Sequence, residues 1–532
     1  MTALLLLSAF TLSGQTPESL VLETSTMKAV FNSNGALFTD FQKGGFIAPY
    51  LSGQAEHSLM RVAGLWIAGL DAAGNLRGAT QLYNEAGQAD FVPGLPDGTL
   101  SHIWRVTRDE VHQHNIDLLD DDELDYLIPD IYAWPGKGNP YFAAYNPGQA
   151  SLPDDLAAAP FLDYDYDGSY NPDKGDSPYF TLPFCNIAAP PTEMAWFPFH
   201  SGVQPTESGM APLPLEVYCT IALHDCPADP RAANTVFIHY VMINRSGEPL
   251  HNLYAGMFND FDIGNPDDDF FGCDTARSLV YAYNGDALDE NGFGAYPPAI
   301  GVDLLSGPLG ADGQPLPLGS VQPVDFSALN EPSDYYNLLK GLNPDGSTAP
   351  QNGFYYQTDL DSGVGFSEVQ AQNTPGNRKV LFSAGPFDLA PGAVNQMTVA
   401  YTFGPGDGSL YSGLGELLNQ NQSIQSFFDE CMTFHDGPGC LNLLPARDVQ
   451  KKQTFDVFPN PSSGRFTVEA LEMPFRCLTL ADPTGRIVLD YTWQEPVTRA
   501  EVGTDDIPEG LYTVQVITDK QAVVQQLLVM VR

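Results

Sequence analysis

The sequence predicts a mainly β protein: a large N-terminal region of the β-sandwich type with one short helix, then a small Ig-like β-sandwich. Three observations carry this. β-rich runs recur along the chain, each closed by a Gly, Pro, Asn or Asp turn. Almost no helical periodicity separates them, which favours antiparallel sheets over alternating strands and helices. The composition includes 50 Gly, 44 Pro and 11% aromatics, a mix suited to short strands and tight turns. Gly and Pro also suit disorder, but 43% hydrophobic residues spread along the chain supply a core. At 532 residues the chain exceeds one ordinary core, so two or more domains are expected.

The elements follow in order. After Met1-Thr2 an apolar run, Ala3 to Leu12, leads to Ser13-Gly14-Gln15. Residues 1–15 therefore read as a signal peptide, although no basic residue precedes the run. The run is too short to span a membrane, and no later segment reaches the roughly 18 apolar residues a span needs. Residues 16–435 form the main β-rich region, as one unit or two subdomains. Leu215 to Leu223 alternates in part, and Thr235 to Ile243 is β-rich and stops at Asn244-Arg245-Ser246-Gly247. Leu253 to Phe261, Ser278 to Tyr283 and Gln396 to Phe403 read the same way. Leu414, Leu417, Leu418, Asn421, Ile424, Phe427 and Phe428 follow helical spacing, which predicts a helix packed on the last sheet. Residues 436–454 read as a linker. From Phe455 to Arg532 short strands and turn signals return, forming the small sandwich.

Charge narrows the function class. With 23 Lys and Arg against 66 Asp and Glu, the net charge is −43. Such a surface repels nucleic acid and anionic lipid. It suits a solvated exterior or bound divalent cations. Seven cysteines leave at least one unpaired; Cys219–Cys226 and Cys431–Cys440 are the local candidates for bridges. No C-x-x-C occurs, which speaks against a zinc ribbon.

Two acidic loops are the candidate metal sites. In Asp163-Tyr164-Asp165-Tyr166-Asp167-Gly168-Ser169, carboxylates at alternate positions precede a glycine. That spacing wraps hard oxygens around one centre, as calcium requires, with the Ser169 carbonyl as a further donor. An EF-hand would place Glu where Lys174 stands, so Asp173 or Asp176 is the substitute ligand. The alternative is an Asp-rich turn held by side chain to backbone bonds. The second loop, Asn259 to Asp274, offers Asp260, Asp262, Asp267 and Asp269. Carboxylates so dense repel one another unless solvent or a cation screens them. Asp120-Asp121-Asp122-Glu123 reads as a solvated loop or helix start. His112 and His114 would share one side of a strand and form a zinc pair, but no third ligand is apparent. Zincin, serine-hydrolase and phosphate-loop signatures are missing, so no catalytic residue is assigned. Trp66, Trp104, Trp134 and Trp196 suit glycan stacking or, more simply, core packing.

Three motifs near the C-terminus carry a resemblance: F-P-N-P-S-S-G at 458–464, D-P-T-G-R at 482–486 and I-P-E-G-L-Y at 507–512. In this order and spacing they resemble the type A sorting domain of the Bacteroidetes type IX secretion system. The resemblance implies entry to the periplasm by the signal peptide. Passage through the outer membrane by machinery that recognises residues 455–532 would follow. Attachment to surface lipopolysaccharide or glycans, or release, is the implied fate. L-W-I-A-G-L-D at 65–71, D-Y-D-Y-D-G-S-Y-N-P at 163–172, the 258–275 loop and A-G-P-F-D-L-A-P-G at 384–392 resemble segments of uncharacterised cargo of that system. The functional expectation is a secreted or surface, calcium-stabilised β-protein, adhesive or structural and without enzymatic activity. The alternatives are a secreted hydrolase acting on polysaccharide, or a subunit of an extracellular filament or matrix.

Overall fold

The computed structural model describes residues 17–49, 55–83, 89–121, 124–149, 151–164, 167–180, 191–202, 207–226, 229–359, 364–406, 411–432, 455–470, 474–481, 487–504, 507–508, 510–518 and 523–530. The expected signal peptide at 1–15 and the expected linker at 436–454 lie outside them, as do Asp165, Asp122, Glu123, Cys185, Cys440 and the 482–486 motif.

Two antiparallel sheets build the main region. In the larger one, Asp269–Asp274, Leu279–Asn284, Ala299–Ser306, Val394–Gly404, Thr235–Asn244, Leu215–Leu223 and Glu193–His200 lie side by side. Val92–Pro93 and Trp104–Thr107 both pair with Glu193–His200. The smaller sheet runs Ser320–Pro323, Arg378–Leu389, Leu250–Phe261, Met60–Leu70 and Leu76–Thr80. Between the sheets sits one core, with Leu65, Met257 and Phe382 facing Ile221, Ile238 and Val399. Tyr401 ties the layers together by donating its hydroxyl hydrogen to Asn259 Oδ1 across the core at 2.9 Å.

Both outer faces are covered as well, which explains the weak alternation of the strand sequences. Every residue of Leu215–Leu223 and of Val394–Gly404 is buried. A two-residue period appears only when one face meets water; strands buried on both faces read as continuous apolar runs. Helix Ser412–Asp429 covers the larger sheet with Ile424, Phe427 and Phe428. Helix Pro332–Leu339 covers the smaller sheet with Tyr335, Leu338 and Leu339. Trp66 stacks on Phe258 at 5.3 Å beneath that helix, and Trp196 stacks on Tyr218 at 5.9 Å. Trp66, Trp104, Trp134 and Trp196 are all buried, so each packs a core. Replacing Trp196 by Ala is expected to cost about 3–5 kcal/mol, read as a lower urea midpoint with an unchanged slope.

The predicted 414–428 helix is present, and Arg108–Asp121 is a further one. It opens on a capping box: Glu110 N–H donates to Thr107 Oγ1, while Thr107 N–H donates to Glu110 Oε2 at 2.7 Å. This helix corrects the zinc expectation for His112 and His114. Two residues apart on a strand share a face, but on a helix they diverge by about 200°. His114 is fully buried and His112 only partly.

One cysteine expectation is corrected: Cys219 is free, as are Cys273 and Cys477, so no Cys219–Cys226 bridge forms. Cys226 and Cys431 are each disulfide-bonded, and the expected Cys431–Cys440 bridge involves Cys440, which lies outside the described residues. Cys219 cannot meet Cys226 because it faces the core between the sheets, while Cys226 packs in the cluster on the larger sheet's outer face.

One buried carboxylate links helix to sheet. Asp303, on a central strand, accepts a hydrogen bond from Asn421 Nδ2 at 2.7 Å, and its Oδ1 is buried without a hydrogen-bond donor. Burial pushes its pKa up to about 8. A folded pKa above the unfolded one gives stability that is present at low pH and lost as pH rises through about 8. The wild-type melting temperature should therefore fall between pH 6 and pH 8 relative to that of Asp303→Asn, a difference that paired thermal melts would read.

The C-terminal region has its own core. Phe455–Phe458, Arg465–Ala470 and Arg499–Gly503 form one sheet; Ile487–Val497, Phe475–Ala481, Gly510–Thr518 and Val523–Met530 form another. Phe466, Val468 and Val502 from the first meet Leu478, Leu480 and Val514 from the second. The 458–464 motif turns the first hairpin, where Ser462 Oγ donates to the Arg465 carbonyl at 2.6 Å.

Candidate metal centre

The first acidic loop is closed by its own hydrogen bonds. Asp163 accepts from the backbone N–H groups of Asp167 and Gly168 at 3.2 and 2.9 Å. Asp167 accepts from Ser169 N–H at 2.8 Å and pairs with Lys174 at 2.6 Å. Asp176 is buried and accepts from the N–H groups of Tyr164 and Asn171, both at 2.7 Å. Asp173 points elsewhere and accepts the hydroxyls of Tyr132 and Tyr141. Four of the predicted carboxylates thus have protein donors, Ser169 supplies its N–H to the turn, and Asp165 lies outside the described residues.

The second loop differs. Strand Leu250–Phe261 leaves the smaller sheet, turns through 262–268 and returns as Asp269–Asp274 at the edge of the larger sheet. The carboxylates therefore crowd the seam between the layers. Asp269 is fully buried; its Oδ2 accepts Ile263 N–H at 3.1 Å, while its Oδ1 has no hydrogen-bond donor. Asp262 and Asp268 each bury an Oδ1 in the same condition. Asp260 is satisfied on one oxygen by the Tyr83 hydroxyl at 2.6 Å and faces the Lys379 ammonium at 3.4 Å on the other. Asp267 is exposed.

Two carboxylates outside the predicted ligand set complete the group. Asp268 is one; the other is Asp289, from a distant hairpin, buried against the same turn. Asp289 Oδ1 accepts Asn265 N–H at 3.1 Å, and Asn265 Nδ2 donates to Asp268 Oδ2 at 3.0 Å. Gly264, at φ +66°, makes room for Asp289: a β-carbon there would lie 2.0 Å from Asp289 Oδ2. The run Asp267-Asp268-Asp269 was visible in the sequence, but contact with Asp289 depends on a fold that no local pattern encodes.

The electrostatics follow from this crowding. Burial, then the neighbouring Asp260 charge, pushes Asp262 up to about 6. Burial, with Asp289 nearby, pushes Asp268 up to about 6 as well. Burial holds Asp269 well above the usual carboxylate range. Among the described residues no three His, Cys, Asp or Glu side chains stand in coordination geometry. The donor chemistry nevertheless fits a hard cation: the orphaned groups are all oxygens, and calcium accepts flexible, partly carbonyl coordination.

Residues 456–530 match the secretion system C-terminal sorting domain. No curated protein matches the sequence. A solved polysaccharide lyase overlaps 59% of this chain at 10% identity with a TM-score of 0.19. The chain spans 34% of that lyase's length, and so slight a likeness carries no argument about fold or activity. Among the described residues no helix is long and apolar enough to cross a membrane. The matched domain has its own core and its motif-bearing first hairpin. The chain is a secreted or cell-surface cargo protein of the type IX secretion system, carrying its C-terminal sorting domain over residues 456–530.

Proposed function

We propose that the cargo is a calcium-stabilised, non-enzymatic β-sandwich with an adhesive or structural role at the cell exterior. One observation carries the calcium part. Asp262, Asp268 and Asp269 bury carboxylate oxygens that no protein donor satisfies. An unsatisfied buried carboxylate is costly, and a cation removes both that cost and the mutual repulsion. Asp262, Asp268, Asp269 and Asp289 are not in coordination geometry without the ion and would close around it to hold it, joined by backbone carbonyls of the 262–268 turn. The ion would clamp the turn joining the two sheets, which stiffens a protein exposed to proteases and shear. Sites of extracellular modules bind in the 10⁻⁴–10⁻³ M range.

Titration calorimetry tests this reading. One calcium per chain with a dissociation constant of about 0.1–1 mM is expected, and Asp269→Asn should abolish the heat. No binding at 10 mM would refute it.

A further inference from the structure

Strand Leu279–Asn284 brings one more oxygen to the acidic turn. It pairs antiparallel with Asp269–Asp274, and Asn284 stands directly opposite Asp269. Side chains directly opposite in such a pair lie on the same face. Alternation along the strand fixes which face that is. Val280 and Ala282 enter the core between the sheets, while Tyr281 and Tyr283 pack on the outer side. Asn284 continues the Val280 and Ala282 series, so its amide lies inside, on the side of the buried Asp269 carboxylate. The pair is also of the closer kind. Gly285 N–H donates to the Asp268 carbonyl at 2.7 Å, so Asp269 and Asn284, one step along, form a non-hydrogen-bonded pair. Such pairs bring opposite Cα atoms to about 4.5 Å and their side chains closest.

The amide is held by one end only. Asn284 Nδ2 donates to the Asp286 carbonyl at 3.2 Å, while Oδ1 is buried without a hydrogen-bond donor. The whole residue is 3% exposed. Asp268 and Asp269 show the same pattern, each with Oδ2 tethered and Oδ1 orphaned. An amide beside a carboxylate can turn its N–H toward it. Here that donor is spent on a carbonyl, and the amide presents an oxygen to a negative cluster. Lone pairs so placed repel unless a cation lies between them.

The ligand set also bears on which cation fits. Asp268 and Asp269 belong to the turn, Asn284 to the strand paired with it, and Asp289 to a separate hairpin. Asp289 is tethered on both oxygens, by Asn265 N–H at 3.1 Å and Phe293 N–H at 2.5 Å. Groups tethered from three segments can turn an oxygen inward. They cannot draw together into the tight octahedron at about 2.0–2.1 Å that magnesium demands. Calcium accepts about 6–8 oxygens at about 2.3–2.6 Å in irregular geometry, neutral amide oxygens included.

We propose that Asn284 supplies a neutral oxygen ligand to this site, and that the site so completed takes calcium in preference to magnesium. This rests on the calcium reading of the 262–269 turn and adds to it a ligand and an ion preference.

The test uses the full chain with calcium in a calorimeter and with terbium, whose luminescence lifetimes in H2O and D2O count the waters on the bound ion. Asn284→Ala should bind calcium about tenfold more weakly and carry about one more water on terbium. Asn284→Asp restores an oxygen at that place and should return the water count to that of wild type. Asn284→Val, closer in volume and suited to a strand, should gain the same water and serves where the Ala variant fails to fold. Magnesium at about 10 mM should leave calcium binding by wild type unchanged. Wild type that binds neither calcium nor terbium would refute the calcium reading and this assignment with it. Wild type that binds both, with affinity and water count unchanged in the Ala and Val variants, would overturn the assignment of Asn284 alone. Displacement of calcium by magnesium would overturn the ion preference.

Discussion

Chelating calcium with EGTA should lower the melting temperature of the purified protein on the order of 5 °C relative to 10 mM calcium. A ligand at 100 times its dissociation constant stabilises the folded state by about 2.7 kcal/mol. The effect should be specific to the 262–269 turn. Asp269→Asn and Asp262→Asn are expected to lose the calcium increment. They should also melt higher than wild type in EGTA, because each removes a charge from a cluster that has no donor for it. That pair of opposite signs separates a cation site from an ordinary structural carboxylate, whose removal lowers stability in both conditions. Asp163→Asn serves as the contrast. Its carboxylate caps its own turn, so the variant should lose stability equally with and without calcium.

Deletion of residues 455–532 should stop export at the periplasm while leaving the sandwich folded. The two cores share no members: the sorting domain is built on Phe466, Leu478 and Val514, and the main one on residues such as Leu65 and Ile238. Removing the tag therefore removes no side chain from the larger core. Cell fractionation should find the truncated protein inside the outer membrane, with a calcium-dependent melt like that of the full chain. Val514→Asp is a milder route to the same phenotype. It buries an unpaired charge between the two small sheets, a cost of several kcal/mol that a domain this small cannot absorb. Full export of either variant would show that the domain is not the export signal.

The sequence made some of this legible and hid the rest for physical reasons. The sorting domain could be read in part because its 458–464 motif turns a hairpin, where residue type follows backbone geometry. The helix at 412–429 announced itself by an apolar stripe at helical spacing. Helix Arg108–Asp121 did not, since its mean hydropathy is low and its buried face rests on Val111 and His114. Its Thr107-to-Glu110 capping box was the available signal. The strands of the larger sheet could be recognised as apolar runs, yet their order could not, because both faces are buried and no alternation marks one side. At the candidate site, the acidic density of 260–269 was plain, but which oxygens lack donors depends on Tyr83, Lys379 and Asp289, all far away in sequence. The 163–176 loop had the better calcium spacing, but its Asp173 turns to Tyr132 and Tyr141, which lie outside that loop.

The most direct measurement is a crystal structure grown in calcium, with anomalous scattering used to locate the ion. The account predicts one cation bound by carboxylates of Asp262, Asp268, Asp269 and Asp289, with oxygens at about 2.3–2.6 Å. A structure with no ion there, and with those carboxylates instead satisfied by water or protein donors, would contradict it.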